Sequence, residues 1–241
     1  MTAALAVEVL RLRTVRYPWL FLLAAELLVV AGVSGLALTA DDLAGALPKA
    51  FAHVGLVAIC SLVLGILSVA GEFRHRTITD TFLSFPHRTT PLLGKLAVTT
   101  LAGAVIGLVA AATAVAAAVV WWQVQDAAWD WTSDATLTLV GGVAWVMAFA
   151  AIGVALGAVV RNVMAAIAVG LGWIAVVEGV LGELVGSDAA RWLPFAAGEA
   201  LGRTGTIADP LSQGVAALVL AAYAGGLCLV AAFVTLGRDV T

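Results

Sequence analysis

The chain has 241 residues, of which 63% are hydrophobic and 11% charged, a net charge of −3 and a mean hydropathy of +1.09. Soluble domains carry about 25% charged and about 45–50% apolar residues, so no water-facing fold of this size could hide so much apolar surface, and the solvent is lipid. The two cysteines, Cys60 and Cys228, both lie in apolar runs, which excludes a disulfide framework or a zinc site built on cysteine spacing.

Residues 1–16 place Leu5, Val9 and Leu12 at helical spacing, with Arg11, Arg13 and Arg16 among them, and predict an interfacial helix leading into the first span. Six runs reach the roughly 20 apolar residues that cross a bilayer. They are 17–38, 51–70, 92–122, 135–160, 163–183 and 212–236. All are rich in Ala, Leu and Val without the alternation of barrel strands, so they are read as helices. The first exceeds a signal-peptide core of about 7–15 residues, and is expected to stay as a span. The third, at about 1.5 Å per residue, outruns a hydrocarbon core of about 30 Å and should tilt or project. The expected fold is an all-α integral membrane protein, one transmembrane domain over residues 1–241.

Basic residues orient it. Arg11, Arg13, Arg16, Arg74, Arg76, Arg88, Lys95, Arg161 and Arg238 fall on one set of helix ends, and only Lys49, Arg191 and Arg203 on the other. Short cytoplasmic loops concentrate Lys and Arg, which places both termini in the cytoplasm. Trp121, Trp122, Trp129 and Trp131 gather at the outer boundary, and Tyr17 and Trp19 at the inner one, as an aromatic belt would. Arg161-Asn162 is nearly the whole turn between spans 4 and 5. The long connections are 71–91 inside and 184–211 outside, each joining the second and third spans of its half. Three spans per half invert the second half relative to the first, the plan of inverted-repeat transporters, so a self-sufficient secondary transporter or channel is one reading.

The inner connection opens the stretch GEFRHRTITDTFLSFPHRTTPLLGK, residues 71–95. Ile78, Phe82 and Phe85 form one helical stripe, Pro86 ends it, and Thr77, Asp80, Thr81 and Ser84 give polar faces. It reads as a short helix on the inner surface, either a basic anchor of topology or a handle for a soluble partner. The outer stretch DAARWLPFAAGEALGRTG, residues 188–205, has few groups that demand water. Two short helices broken near Pro194 and Gly198, with Trp192 and Phe195 beside the break, would dip partway into the outer leaflet.

Glu26 lies inside span 1 and Glu178 in the outer part of span 5. A charge at mid-bilayer costs at least about 2.5–3.5 kcal/mol, so each is expected to be paired, protonated or turned to a polar cavity. Each is a candidate for the substrate route or a subunit interface, with a plain interhelical hydrogen bond as the bland reading. Gly103 and Gly107, and Gly153 and Gly157, are spaced for close helix approach. There is no G-x-x-x-x-G-K-[ST], H-E-x-x-H or G-x-S-x-G, so no catalytic or metal residue is expected, and no nucleic-acid partner.

The GEFRHRT run after the second span, then TFLSFPHR and the Gly94-Lys95 pair entering the third, resembles the membrane subunit of ABC transporters of the ABC-2 type. Gly153, Gly157, Arg161, Ala165 and Ala166 resemble that family's approach to the short span 4–5 turn, and RWLPFAAGEAL its outer segment before span 6. Arg76 departs from it, where many relatives have Gly. The resemblance implies a permease subunit of an ATP-driven exporter in the cytoplasmic membrane, paired with a second copy or a related permease. It implies separate ATPase subunits below, which hold ATP and Mg²⁺, so this chain itself needs no cofactor. The inner loop would be the coupling helix, with Glu72, Phe73, Arg74, His75, Arg76 and Thr77, then Asp80 and Thr81, at or near the ATPase contact. An apolar, Trp-rimmed bundle suits a lipophilic or amphipathic cargo.

Overall fold

The computed structural model describes residues 2–40, 42–75, 77, 89–180, 184, 186–205 and 209–237, and among them every regular element is helical. In chain order these are α1 (Thr2–Thr14), α2 (Tyr17–Thr39), α3 (Leu47–Phe51), α4 (His53–Leu56), α5 (Ala58–Arg74), α6 (Thr89–Val124), α7 (Ser133–Val160), α8 (Val163–Gly172), a π-helical turn π1 (Trp173–Glu178), α9 (Ser187–Ala190), α10 (Pro194–Leu201) and α11 (Gln213–Gly237). Five helical stretches are long and apolar enough to cross a membrane: α2, α3 to α5 taken together, α6, α7 and α11. The chain therefore has the architecture of a multi-pass membrane protein.

The fifth expected span is the exception. α8 (10 residues) runs into π1 (6 residues), and Gly179 and Val180 continue the helix to the edge of the described residues, a described length of roughly 27 Å at 1.5 Å per residue. Its expected outer end at 181–183 lies outside the described residues. The second expected span, 51–70, is both longer and less regular. It begins at Leu47, breaks at Ala52 and Val57, and runs on to Arg74. At both breaks a tighter hydrogen bond replaces the α pattern, from Gly55 N–H to Ala52 O and from Val57 N–H to Val54 O. Glu72, Phe73 and Arg74, read from sequence as the start of the loop, are thus the last turn of α5. The third expected span, α6, has 36 residues, in keeping with its long apolar run.

α5 and α7 form the centre. In the most apolar stretch of Leu47–Arg74, 67% of residues are buried, against 11% for Gln213–Val234, so α11 is peripheral. The central pair touches backbone to backbone. A Cβ on Gly153 would come within 2.2 Å of Leu62 O, and one on Gly65 within 2.4 Å of Ala150 O. Ser61 Oγ donates across the same seam to Val146 O at 2.9 Å. Gly103 and Gly107 of α6 pack on this pair too, so both spaced glycine pairs serve packing within the chain.

Local chemistry fixes the turns. Thr132 caps α7 by accepting from Ala135 N–H at 3.2 Å, and Asn162 caps α8 by accepting from Ala165 N–H at 3.0 Å. Between them Arg161 adopts φ +58°, the left-handed conformation that ends a helix. Its guanidinium reaches Val234 O at 3.1 Å and lies 5.3 Å from the Phe73 ring centroid. The ends of α5, α7 and α11 are thereby joined at one end of the bundle. At the other, Trp121 Nε1 donates to Ser34 Oγ (2.9 Å) and Arg203 pairs with Asp134 (2.6 Å). Of the expected aromatic belt, Trp129 and Trp131 are exposed, but Trp122 is buried, edge-on to Trp129.

Candidate functional site

The end of the bundle that carries Arg161 holds a buried ionic cluster. Lys95 Nζ of α6 lies 2.6 Å from Glu8 Oε1 of α1 and 2.7 Å from Glu72 Oε1 of α5. Arg11 of α1 also pairs with Glu72 Oε1 and stands 3.9 Å from Glu8. Lys95 and Glu72 are each 2% exposed and Glu8 is 6% exposed. Two carboxylates, one ammonium and one guanidinium sum to zero, which is how a cluster this dry can exist; an unpaired charge there would be prohibitive.

Helix geometry explains the convergence. Glu8 and Arg11 are three apart on α1 and share a face. Glu72 sits in the last turn of α5, and Lys95 about two turns into α6. The expected apolar stripe of α1 gives way to this arrangement: Val9 is exposed, while Glu8 turns inward. A buried lysine outranks three aliphatic contacts, because its desolvation needs a counter-charge.

The expected site residues of the inner loop therefore divide. Glu72 is buried in the cluster, not on the exposed polar face expected of it. Phe73 sits under Arg161. Arg74 and His75 are exposed. Thr77 N–H bonds Glu72 O at 3.1 Å, continuing the chain directly from the cluster. Arg76, Asp80 and Thr81 lie outside the described residues, as does the stretch expected to form the inner helix. Glu8 was not singled out by sequence reasoning and Lys95 only as a basic residue and as part of the Gly94-Lys95 pair, yet these two organise this end. The signal was present: a lysine just inside an apolar run must find a carboxylate, and Glu8 is the one acidic residue of 1–16.

A second polar constellation lies deep on the opposite side of the bundle. α10 packs along α7, with Phe195 against Trp145 (5.2 Å) and Phe149 (6.2 Å). Trp145 and Phe149 are about 18 Å and about 24 Å along α7 from Ser133, so α10 begins well down that helix. Gly198 permits it, since a Cβ there would fall 2.1 Å from Trp145 Nε1. The N-cap residue Leu193 offers no side-chain acceptor. Glu178 takes that role from π1: its two oxygens accept from Phe195 N–H at 2.9 Å, and Oε2 also accepts from Ala196 N–H at 2.9 Å. An anion at a helix N-terminus is favoured by the unsatisfied N–H groups and the dipole. Pro194, first in α10, needs no N–H partner. Trp192 stays exposed on the preceding turn.

A mostly apolar cavity of about 290 Å³ lies where α5, α7, α8, π1, α10 and α11 meet, with Phe149, Trp173 and Tyr223 on its walls and Glu178 and Pro194 at its edge. Glu26 stands apart from both constellations. Both of its carboxylate oxygens are covered and have no hydrogen-bond partner among the described residues. Among the described residues no group of His, Cys, Asp and Glu could hold a metal ion. No family model matches the chain, and no curated protein matches it.

Proposed function

We propose that this chain is the membrane-spanning permease subunit of an ATP-driven exporter of the ABC-2 type, working in the cytoplasmic membrane. In this reading it has six membrane segments, α8 with π1 opening the fifth. Both termini face the cytoplasm, and α10 is a re-entrant helix in the outer leaflet. Energy comes from a separate ATPase subunit that carries ATP and Mg²⁺, and the pathway forms with a second permease copy.

The observation that carries this reading is the ionic cluster immediately ahead of the inner connection. A push on residues 75–88 reaches Glu72 through its own backbone, and Glu72 is bonded to α1 through Arg11 and to α6 through Lys95. One contact would then move three helices together, which is what a chain without an ATP site of its own requires of its docking segment. The glycine seam of α5 with α7 extends the same rigid unit to the centre. The apolar cavity beside Glu178 suits a lipophilic or amphipathic cargo.

The test is co-purification from the source membrane followed by reconstitution. An ATPase subunit recovered in equal amount, with transport that needs ATP, is the expected result. Transport by the chain alone, driven by an ion gradient, would support the secondary-transporter reading instead.

A further inference from the structure

A groove of about 390 Å³ runs between α1, α2 and α6, on the same end of the bundle as the ionic cluster but outside it. Leu64, Val98 and Ile106, all buried, form its floor, and Trp19 and Leu101, both exposed, stand at its walls. From Val98 to Ile106 it follows about 12 Å of α6. Arg13 lies at its α1 end. Arg13 and Arg16 are exposed, and no carboxylate pairs with either among the described residues. The reason lies in the cluster: Glu8, the one acidic residue of 1–16, is consumed by Lys95 and Arg11. An apolar slot thus opens beside Arg13, with Arg16 three residues on and neither paired with a carboxylate among the described residues, next to helices of membrane-spanning length.

We propose that this groove is a binding site for an anionic phospholipid, one acyl chain lying in the slot and the phosphate held by Arg13 and Arg16. Each half of the site selects for one half of that molecule. The slot excludes a free anion from any gain by burial, and the arginine pair favours net negative charge over a zwitterion, whose own cation offsets its phosphate. The two arginines flank the α1–α2 turn, so a bound headgroup would also fix α1 against the bilayer. The site requires only that the apolar helices sit in lipid, and stands whether or not the chain transports anything.

The test uses the purified full chain in detergent. Native mass spectrometry follows parallel titration with dioleoyl phosphatidylglycerol and dioleoyl phosphatidylcholine. The wild type should retain the anionic lipid preferentially, by roughly five-fold per arginine. Arg13→Glu with Arg16→Glu should abolish the preference. Ala102→Phe, which narrows the slot without changing charge, should weaken retention of the anionic lipid, and Arg203→Ala at the far end should leave it intact. A phosphatidylglycerol with a photoreactive acyl tail should label the wild type on α6 between residues 98 and 106, a readout that needs no variant. Equal retention of the two lipids by the wild type, labelling confined to other helices, or complete release of the lipid by inorganic phosphate would each overturn the site.

Discussion

Glu72 and Lys95 face each other across 2.7 Å, each side chain 2% exposed, although they come from consecutive long helices with the whole inner connection between them. The pair closes the base of that connection. It ties the end of α5 to the first turns of α6.

Lys95→Met should therefore destabilise the protein strongly, because it leaves Glu8 and Glu72 buried with Arg11 as their remaining cation. Removing one partner of a buried pair costs about 3–5 kcal/mol. Thermal unfolding in detergent should show a large drop in Tm, and adding Glu8→Gln to Lys95→Met, which leaves the Arg11–Glu72 pair balanced, should recover part of it. An unchanged Tm in Lys95→Met would mean the cluster is not closed in the protein.

Arg74 and Glu72 should separate in their effects, though they are neighbours in sequence. Arg74→Ala with His75→Ala alters only exposed groups. It should leave Tm near normal and reduce recovery of the ATPase subunit or the ATP-driven transport rate. Glu72→Ala should lower Tm first. If the Arg74/His75 variant assembles and transports normally, the proposed docking surface is elsewhere.

Gly198→Val should disrupt the seating of α10, since its Cβ would overlap Trp145. Overpacking of this kind costs about 1–3 kcal/mol. Trp145→Phe, which removes the overlapping indole atoms, should restore part of the loss in the double variant. Additive losses in Tm would show that the two residues do not touch.

The depth of α10 is open to labelling in a background with Cys60 and Cys228 replaced. Ala197 is fully buried, so a cysteine there should resist a membrane-impermeant reagent, while one at Asp209 should react readily. Leu193, half-buried at the start of α10, should label weakly. Glu178→Ala should raise labelling at Ala197, because the N–H groups of Phe195 and Ala196 lose their acceptor, a loss of about 1–3 kcal/mol. Equal labelling at all three positions in the parent would place α10 on an ordinary surface.

Glu26 should behave in the opposite way to Glu72. Its oxygens bond nothing among the described residues, so Glu26→Gln should hold or raise Tm while changing pair formation or transport. With Glu26→Cys as the sole cysteine, oxidation should link two chains if symmetry brings the two copies together. Failure to crosslink, together with one membrane chain per particle by mass, would sink the paired arrangement.

Much of the architecture was legible in the sequence because lipid permits so few solutions. Run length and the absence of alternation were enough for α2, α6, α7 and α11, and the Arg161-Asn162 turn falls where its residues placed it. The helix start at Pro194 was also readable, whereas Gly198, expected near a break, lies inside α10 and faces Trp145. What escaped was pairing in space. Glu8 looked like one charge on a weakly amphipathic helix, and Lys95 like a topology marker, because neither says which carboxylate or ammonium lies opposite. Glu72 was placed outward for the same reason. Likewise nothing local distinguishes the π turn at Trp173–Glu178 from ordinary helix; it is defined by the helix it caps.

The cluster also sets an order of assembly. Glu8 leaves the ribosome 87 residues ahead of Lys95, on the order of ten seconds at ordinary synthesis rates of about 5–20 residues per second. Through that interval α1 carries Glu8 and Arg11 with no Lys95 to meet, and it cannot bury them. The full pairing of Glu8 seen in the fold thus requires α6 to be in place. Closure of α1 onto the cluster would therefore report that α5 and α6 stand in their correct places.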